Sequence, residues 1–291
     1  MSGRTIIIGV DFGEPSLIAA RWVAREFGAG AELVLTHAVH LPEVPAFLRE
    51  LYVTPEHVVD DACANAESRL RSFVESLDAP HVRAEVHVGR PEDVLSNAVE
   101  ASAARWLVVG PRRQDRDIRH LLGNIAERTL RRSHASVLLA RKLPDGAPTN
   151  VLVGLDDTPL MPKVVEAAAT LVGGAASRVT AMYVARSITY ESAPTAALTA
   201  EHRAREDRVR ARAEEWIVRQ LAGTPLEGAH ARVTFGEPGI ELVEAARALD
   251  DCVIVVGRNG GDEESQHLFG RATEVVLAEG EGPVLVVSED S

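Results

Sequence analysis

The residues with the most chemical promise are glycines. Gly257-Arg258-Asn259-Gly260 follows an apolar run and is followed, nine residues further on, by Gly270-Arg271. Glycines let backbone N–H groups approach a phosphate closely, and a helix opening at Gly270 would add its own N-terminal N–H groups and dipole. Alone, G-x-x-G is a common turn; its position after a buried strand and before a helix gives it weight. The same frame occurs earlier as Gly110-Pro111-Arg112-Arg113, nine residues, then Gly123-Asn124. There Arg113 replaces the second glycine, and Pro111 removes a backbone donor. Two carboxylates belong with these loops: Asp11 after Ile6-Ile7-Ile8-Gly9-Val10, and Asp156 after Val151-Leu152-Val153-Gly154-Leu155.

The elements that would position these residues are written twice. Val88-Gly89-Arg90-Pro91 recurs as Phe235-Gly236-Glu237-Pro238, Leu107 to Gly110 as Ile254 to Gly257, Gly123 as Gly270, and Val137 to Leu139 as Val284 to Leu285-Val286, all at an offset of 147 residues. The opening strands are offset by 145. One fold duplicated predicts a domain over residues 1–142, a Pro- and Gly-containing linker over 143–149, and a second domain over 150–291. Apolar runs without alternation, as in Val253-Ile254-Val255-Val256, predict parallel strands covered on both faces. The spacing places strands at 5–10, 32–38, 82–88, 106–110 and 136–140, then at 150–155, 178–184, 229–235, 252–256 and 283–287. Amphipathic stretches with proline at the first turn, such as those from Pro91 and Pro238, alternate with them. The fold class is α/β, two doubly wound domains, each with its ligand edge at the carboxyl ends of the strands. On that edge the ends of the second strands, Ala38 and Val184, join Asp11 and Asp156.

Composition limits the function classes. The net charge is −12 and is carried mostly by residues 147–291, with 13 Lys+Arg against 23 Asp+Glu. That balance disfavours nucleic acid as a partner. No apolar run approaches the ~20 residues of a membrane helix and no signal peptide is visible, so a cytoplasmic protein with no membrane partner is expected. Cys63 and Cys252 stand at non-equivalent positions and read as reduced structural thiols. Local exceptions are basic. Arg112, Arg113, Arg116 and Arg119 crowd the first glycine loop. The stretch 195–221 carries Arg203, Arg205, Arg208, Arg210, Arg212 and Arg219 among acids, and reads as a solvated helix laced with i,i+4 pairs. The ten histidines lack ligand-like company. H-E-x-x-H, C-x-x-C, G-x-S-x-G and Walker A motifs are absent, so neither a metal site nor dedicated catalytic machinery is expected.

Asp after strand 1, Gly-x-Pro after strand 3, and G-x2-G-x9-G after strand 4, ending in Pro283-Val-Leu-Val-Val287, resemble the universal stress protein family, and the resemblance covers the chain twice. It implies flavodoxin-like domains with a five-stranded parallel sheet of order 3-2-1-4-5, packed as a pseudo-dimer within the chain, with a homodimer also open. It further implies a stress-response regulator with ATP, as an adenine nucleotide with Mg2+, as candidate ligand and at most slow hydrolysis. By resemblance Asp156 and Val184 would hold the adenosine part, and Gly257, Gly260 and Gly270 the phosphates. Arg258 and Arg271 complete the candidate nucleotide-binding set. Arg271 stands where the family has Ser or Thr, and Asp262, Glu263 and Glu264 would repel a triphosphate without Mg2+. In the first half Asp11, Ala38, Gly110, Arg113, Gly123 and Asn124 form a degenerate copy. The alternative is a nucleotide-free protein that binds other, unnamed proteins. A nucleotidyltransferase of the wider superfamily would call for H-x-G-H or S-G-G-x-D, and neither occurs.

Overall fold

The computed structural model describes residues 5–40, 56–111, 128–129, 133–186, 196–258 and 269–289. The chain divides into two compact units between Gly146 and Ala147. In the first, β1 (Thr5–Gly9), α1 (Glu14–Phe27), β2 (Glu32–Val39), α2 (Glu56–Glu75), β3 (Val82–Val88), α3 (Pro91–Ser102), β4 (Trp106–Val109) and β5 (Ser136–Leu139) follow one another. In the second, β6 (Asn150–Leu155), α4 (Met161–Leu171), β7 (Val179–Ala185), α5 (Ala196–Leu221), β8 (His230–Phe235), α6 (Pro238–Arg247), β9 (Cys252–Gly257), α7 (Arg271–Glu279) and β10 (Val284–Val287) repeat the pattern. The strands run in the order β3-β2-β1-β4-β5 in the first unit and β8-β7-β6-β9-β10 in the second. Every pairing within each unit is parallel.

The sequence explains the order of burial. Central strands carry the unbroken apolar runs, and Ile7, Ile8, Val151, Leu152 and Val153 are wholly inaccessible. The outer strands β3 and β8 are more exposed than the central ones and carry Arg83, Glu85, His87, His230 and Arg232, polar and charged side chains that suit a sheet edge. Helices cross back over both faces. In the second unit α4 and α5 lie on one face, while α6 and α7, packed on each other, cover the opposite one. Proline at the first turn opens α1, α3, α4 and α6, where its missing N–H would be unpaired in any case.

The helix expected over 195–221 is present as α5, and Arg203, Arg205, Arg208, Arg210, Arg212 and Arg219 are all exposed on it. The ion pair His202–Glu206, at 3.2 Å, joins positions i and i+4. Arg205, Arg208 and Arg212 take no ion pair with a described carboxylate. Arg210 instead lies 5.6 Å from the centre of the Phe235 ring. Arg205, Arg208 and Arg212 are exposed and share one face of the helix.

Candidate functional site

In the second unit the register brings three strand ends together. β6 pairs with β9 on one side and with β7 on the other, and Leu155 lies opposite Tyr183. Asp156, Val184 and Gly257 therefore occupy the carboxyl ends of adjacent strands, with Asp156 in the middle. The Asp156 carboxylate is half-buried and accepts a hydrogen bond from Thr158 Oγ1 at 2.7 Å. Burial raises its pKa and the neighbouring Asp157 adds to the rise, against the lowering effect of Thr158 and of a backbone hydrogen bond.

Gly257 is tightly placed. A Cβ there would come within 2.9 Å of Leu160 Cδ2, on the approach to α4. Its carbonyl accepts a hydrogen bond from Thr273 Oγ1 at 2.7 Å, which pins the first turn of α7 to the end of β9. Gly270 caps α7 in an extended conformation (φ −59°, ψ 148°), and its N–H donates to the Arg258 carbonyl at 3.2 Å. The two ends of the glycine loop thus meet, and the first turn of α7, whose N–H groups have no partner within the helix, sits beside the end of β9. Of the arginines, Arg258 reaches toward Ser288 Oγ at 3.5 Å. Arg271 is exposed and stands 3.8 Å from a Glu237 carboxylate oxygen. Gly260, Asp262, Glu263 and Glu264 lie outside the described residues.

The first unit uses the same edge in another way. The Asp11 carboxylate accepts hydrogen bonds from Ser16 Oγ (2.6 Å) and the Gly13 N–H (2.8 Å), closing the turn into α1. Gly110 ends the fourth strand so close to α1 that a Cβ would lie 3.1 Å from the Ser16 nitrogen. Ala38 lies in β2 opposite His87. Arg113, Gly123, Asn124 and the basic loop from Arg112 to Arg119 lie outside the described residues. Sequence reasoning missed Phe12. It adopts a left-handed backbone (φ 58°), unusual for a bulky residue. Its ring centre lies 4.6 Å from that of His37, and the Arg69 guanidinium stands 3.9 Å from it. His37 Nδ1 donates to the Val10 carbonyl at 2.7 Å, which holds the imidazole in place. Phe12 thus fills the space over the ends of β1 and β2.

A cavity of about 850 Å³ opens in the second unit between α5 and the ends of β6 and β7. Its lining includes Asp157 and Tyr183 but not Asp156, Val184, Gly257 or Gly270. Among the described residues no cluster of three or more His, Cys, Asp or Glu side chains is placed to hold a metal ion. No described helix is long and apolar enough to cross a membrane.

Two stretches, residues 3–141 and 148–288, each match the universal stress protein family model. The chain belongs to the universal stress protein family. Its two units are tandem copies of that domain. Universal stress protein Rv2623 of Mycobacterium tuberculosis is 26% identical over 312 residues, covering 99% of this chain and 97% of the relative. A universal stress protein of Mycolicibacterium smegmatis is 26% identical over 292 residues, covering 97% and 96%. Among solved structures, a universal stress protein from Archaeoglobus fulgidus superposes with a TM-score of 0.69 at 18% identity, over 99% of both chains. Protein PA1789 from Pseudomonas aeruginosa superposes with a TM-score of 0.62 at 16% identity, over 99% of this chain and 94% of that one. Both support the flavodoxin-like fold.

Proposed function

We propose that this tandem universal stress protein is a stress-response regulator whose second unit binds an adenine nucleotide, with ATP and Mg2+ as the candidate pair. The observation that carries the reading is the Thr273–Gly257 hydrogen bond, which sets the N-terminus of α7 beside the end of β9, next to a carboxylate with one side-chain partner. Asp156 and Val184 suit the nucleoside, and Gly257, Gly260 and Gly270 suit the phosphates. In the first unit the equivalent Asp11 closes a local turn, and Phe12 covers the edge. Binding therefore belongs to one unit of the two. Calorimetry with ATP, with and without Mg2+, tests it on the wild type and on Gly260→Arg. The variant should bind at least ~10-fold more weakly, about 1.4 kcal/mol.

A second reading has its own support. Arg271 is exposed and stands 3.8 Å from a Glu237 carboxylate oxygen, a partner within the protein itself. A nucleotide-free protein that acts by binding other proteins fits that arrangement. Mass spectrometry of small molecules released from the heat-denatured protein separates the two: an adenine nucleotide at near one per chain supports the first, and its absence together with no calorimetric binding supports the second.

A further inference from the structure

We propose that the second unit carries a further ligand site, distinct from the glycine loop, that takes a small anion with two or more phosphate groups. The site is the cavity of about 850 Å³ between α5 and the ends of β6 and β7. Its size falls in the ~300–1,000 Å³ range of small-molecule sites.

The cationic wall follows from helical spacing. Positions 205, 208 and 212 stand three, then four residues apart, which stacks them on one face of α5, and all three arginines line the cavity. None is neutralised by a described carboxylate. Among the described residues of the lining, Asp157 is the one acid. Three neighbouring guanidiniums repel one another, and an anion that bridges them removes that repulsion. Guanidinium forks match phosphate oxygens in pairs, so one extended anion can engage more than one arginine. Tyr183 and Trp216 close the floor, with ring centres 5.7 Å apart and planes at 61°.

Strand alternation turns Tyr183 away from Val184, and although Gly257 faces α4 on the same side of the sheet as the cavity, it is not among the residues that line it. Tyr183 points to the face that α5 covers. Val184, the next residue, points to the opposite face, as does Gly154, whose Cβ would meet Leu242 of α6 at 3.0 Å.

The duplicated chain supplies the control. Gly9 pairs with Thr36 and Gly154 with Met182, so His37 and Tyr183 are equivalent. Phe12 and Asp157 each follow the aspartate of the first strand. Leu70 and Ile217, both wholly buried and 147 apart, set the helices in the same frame and make Arg69 equivalent to Trp216. In the first unit this trio is stacked together, with the Phe12 ring against both partners. In the second unit a short aspartate replaces the ring, and the space is open. One copy is filled by its own side chain, and the other is left for a ligand.

Tryptophan fluorescence of the full chain at constant ionic strength, titrated with tripolyphosphate, tests the proposal. Trp22 and Trp106 are 3% exposed each, so an emission change reports Trp216, and Trp216→Phe must abolish it. A saturable change is expected in the wild type. Arg205→Ala with Arg212→Ala should raise the dissociation constant at least ~10-fold. Arg203→Ala with Arg210→Ala removes the same charge from outside the cavity and should change it less than ~2-fold. Asp157→Phe, which copies the plug of the first unit, should remove binding. Asp156→Asn should leave it within ~2-fold. A parallel ATP titration of the same signal distinguishes a nucleotide from a free polyphosphate as the source of the phosphates. No saturable change, an unaltered constant in Arg205→Ala/Arg212→Ala, or an equal loss in Asp156→Asn overturns the proposal.

Discussion

Glu92 at the start of α3 is 3% exposed and pairs with Arg128 at 2.9 Å, whereas the equivalent place in the second unit holds Gly239 against Val275. The two copies solve one packing problem, the crossing of two helices on the sheet, by opposite means. One buries a charge and pairs it. The other removes the side chain altogether.

The Glu92 pair makes the first unit acid-sensitive. Burial alone would raise the Glu92 pKa. A backbone hydrogen bond, Arg128 and Arg90 together outweigh that and leave it below the ordinary glutamate value. A carboxyl depressed in the folded state stabilises the fold above its unfolded pKa. That stability is lost as pH falls through the folded value, because the unfolded chain takes up the proton first. Arg128→Ala should cost roughly 1–2 kcal/mol at neutral pH, a figure discounted for the exposure of the arginine. Most of the difference should vanish well below pH ~4. Urea unfolding of both proteins across that range measures it, and a pH-independent difference would refute it.

Gly239 makes the second unit intolerant of the smallest addition. A Cβ there would lie 2.5 Å from Val275 Cβ and 2.8 Å from the Ala272 carbonyl oxygen. Gly239→Ala should destabilise by about 1–3 kcal/mol through overpacking. Val275→Gly in the same chain, which removes the atom met at 2.5 Å, should lessen the penalty of Gly239→Ala. A double-mutant cycle by denaturant unfolding reads the coupling, and additivity of the two changes would show that the helices part without strain.

Asp156 sets binding against stability. Burial raises its pKa, so the charged form is penalised in the folded state, and stability declines as pH rises from the unfolded value through the folded one. Asp156→Asn removes that decline. The variant should be no less stable than the wild type at neutral pH, yet bind ATP at least ~10-fold more weakly. Paired thermal unfolding and calorimetry check both halves. A destabilised variant with unchanged affinity would make Asp156 structural.

The positions of the strands were legible from sequence because parallel strands buried on both faces show as plain apolar runs. All ten lie within a residue or two of the expected spans, from Thr5–Gly9 to Val284–Val287. The neighbourhood of Asp156 and Gly257 was legible because duplication fixed which loops share an edge. What escaped depended on direction. Nothing in the sequence signals that Phe12 takes a positive φ and folds over His37. The spacing of Arg205, Arg208 and Arg212 gives a common face, but only packing shows that the face meets a cavity. Arg258 and Arg271 were expected near the phosphates; Arg258 lies 3.5 Å from Ser288 Oγ and Arg271 3.8 Å from a Glu237 carboxylate oxygen, contacts that spacing in the sequence does not signal.

The two cysteines should differ in reactivity. Cys252 is buried at the start of β9, and burial pushes its thiol up to about 12. Thiolate is the reactive form, so Cys252 should resist alkylation in the folded protein. Cys63 is only half-buried. Iodoacetamide near pH 8 should label Cys63 alone, and both after unfolding. Rapid labelling of Cys252 in the native state would reveal local opening of β9.

Thr273 tests whether the helix anchor matters to the ligand as well as to the fold. It is 4% exposed, and its hydroxyl donates to the Gly257 carbonyl at 2.7 Å. Thr273→Val keeps the shape and removes the donor. The lost hydrogen bond should cost about 0.5–1.5 kcal/mol of stability. If the bond also holds the N-terminus of α7 in place for phosphate, ATP affinity should fall about 3–10-fold in a protein that remains folded, since misplaced N–H groups lose both distance and direction. The tripolyphosphate response of Trp216 should not change, because neither Thr273 nor Gly257 is among the residues that line the arginine cavity. Calorimetry and fluorescence on the same sample give both numbers. Equal loss of both responses would mean that one site serves both ligands, and loss of neither would reduce the Thr273 hydroxyl to a structural cap.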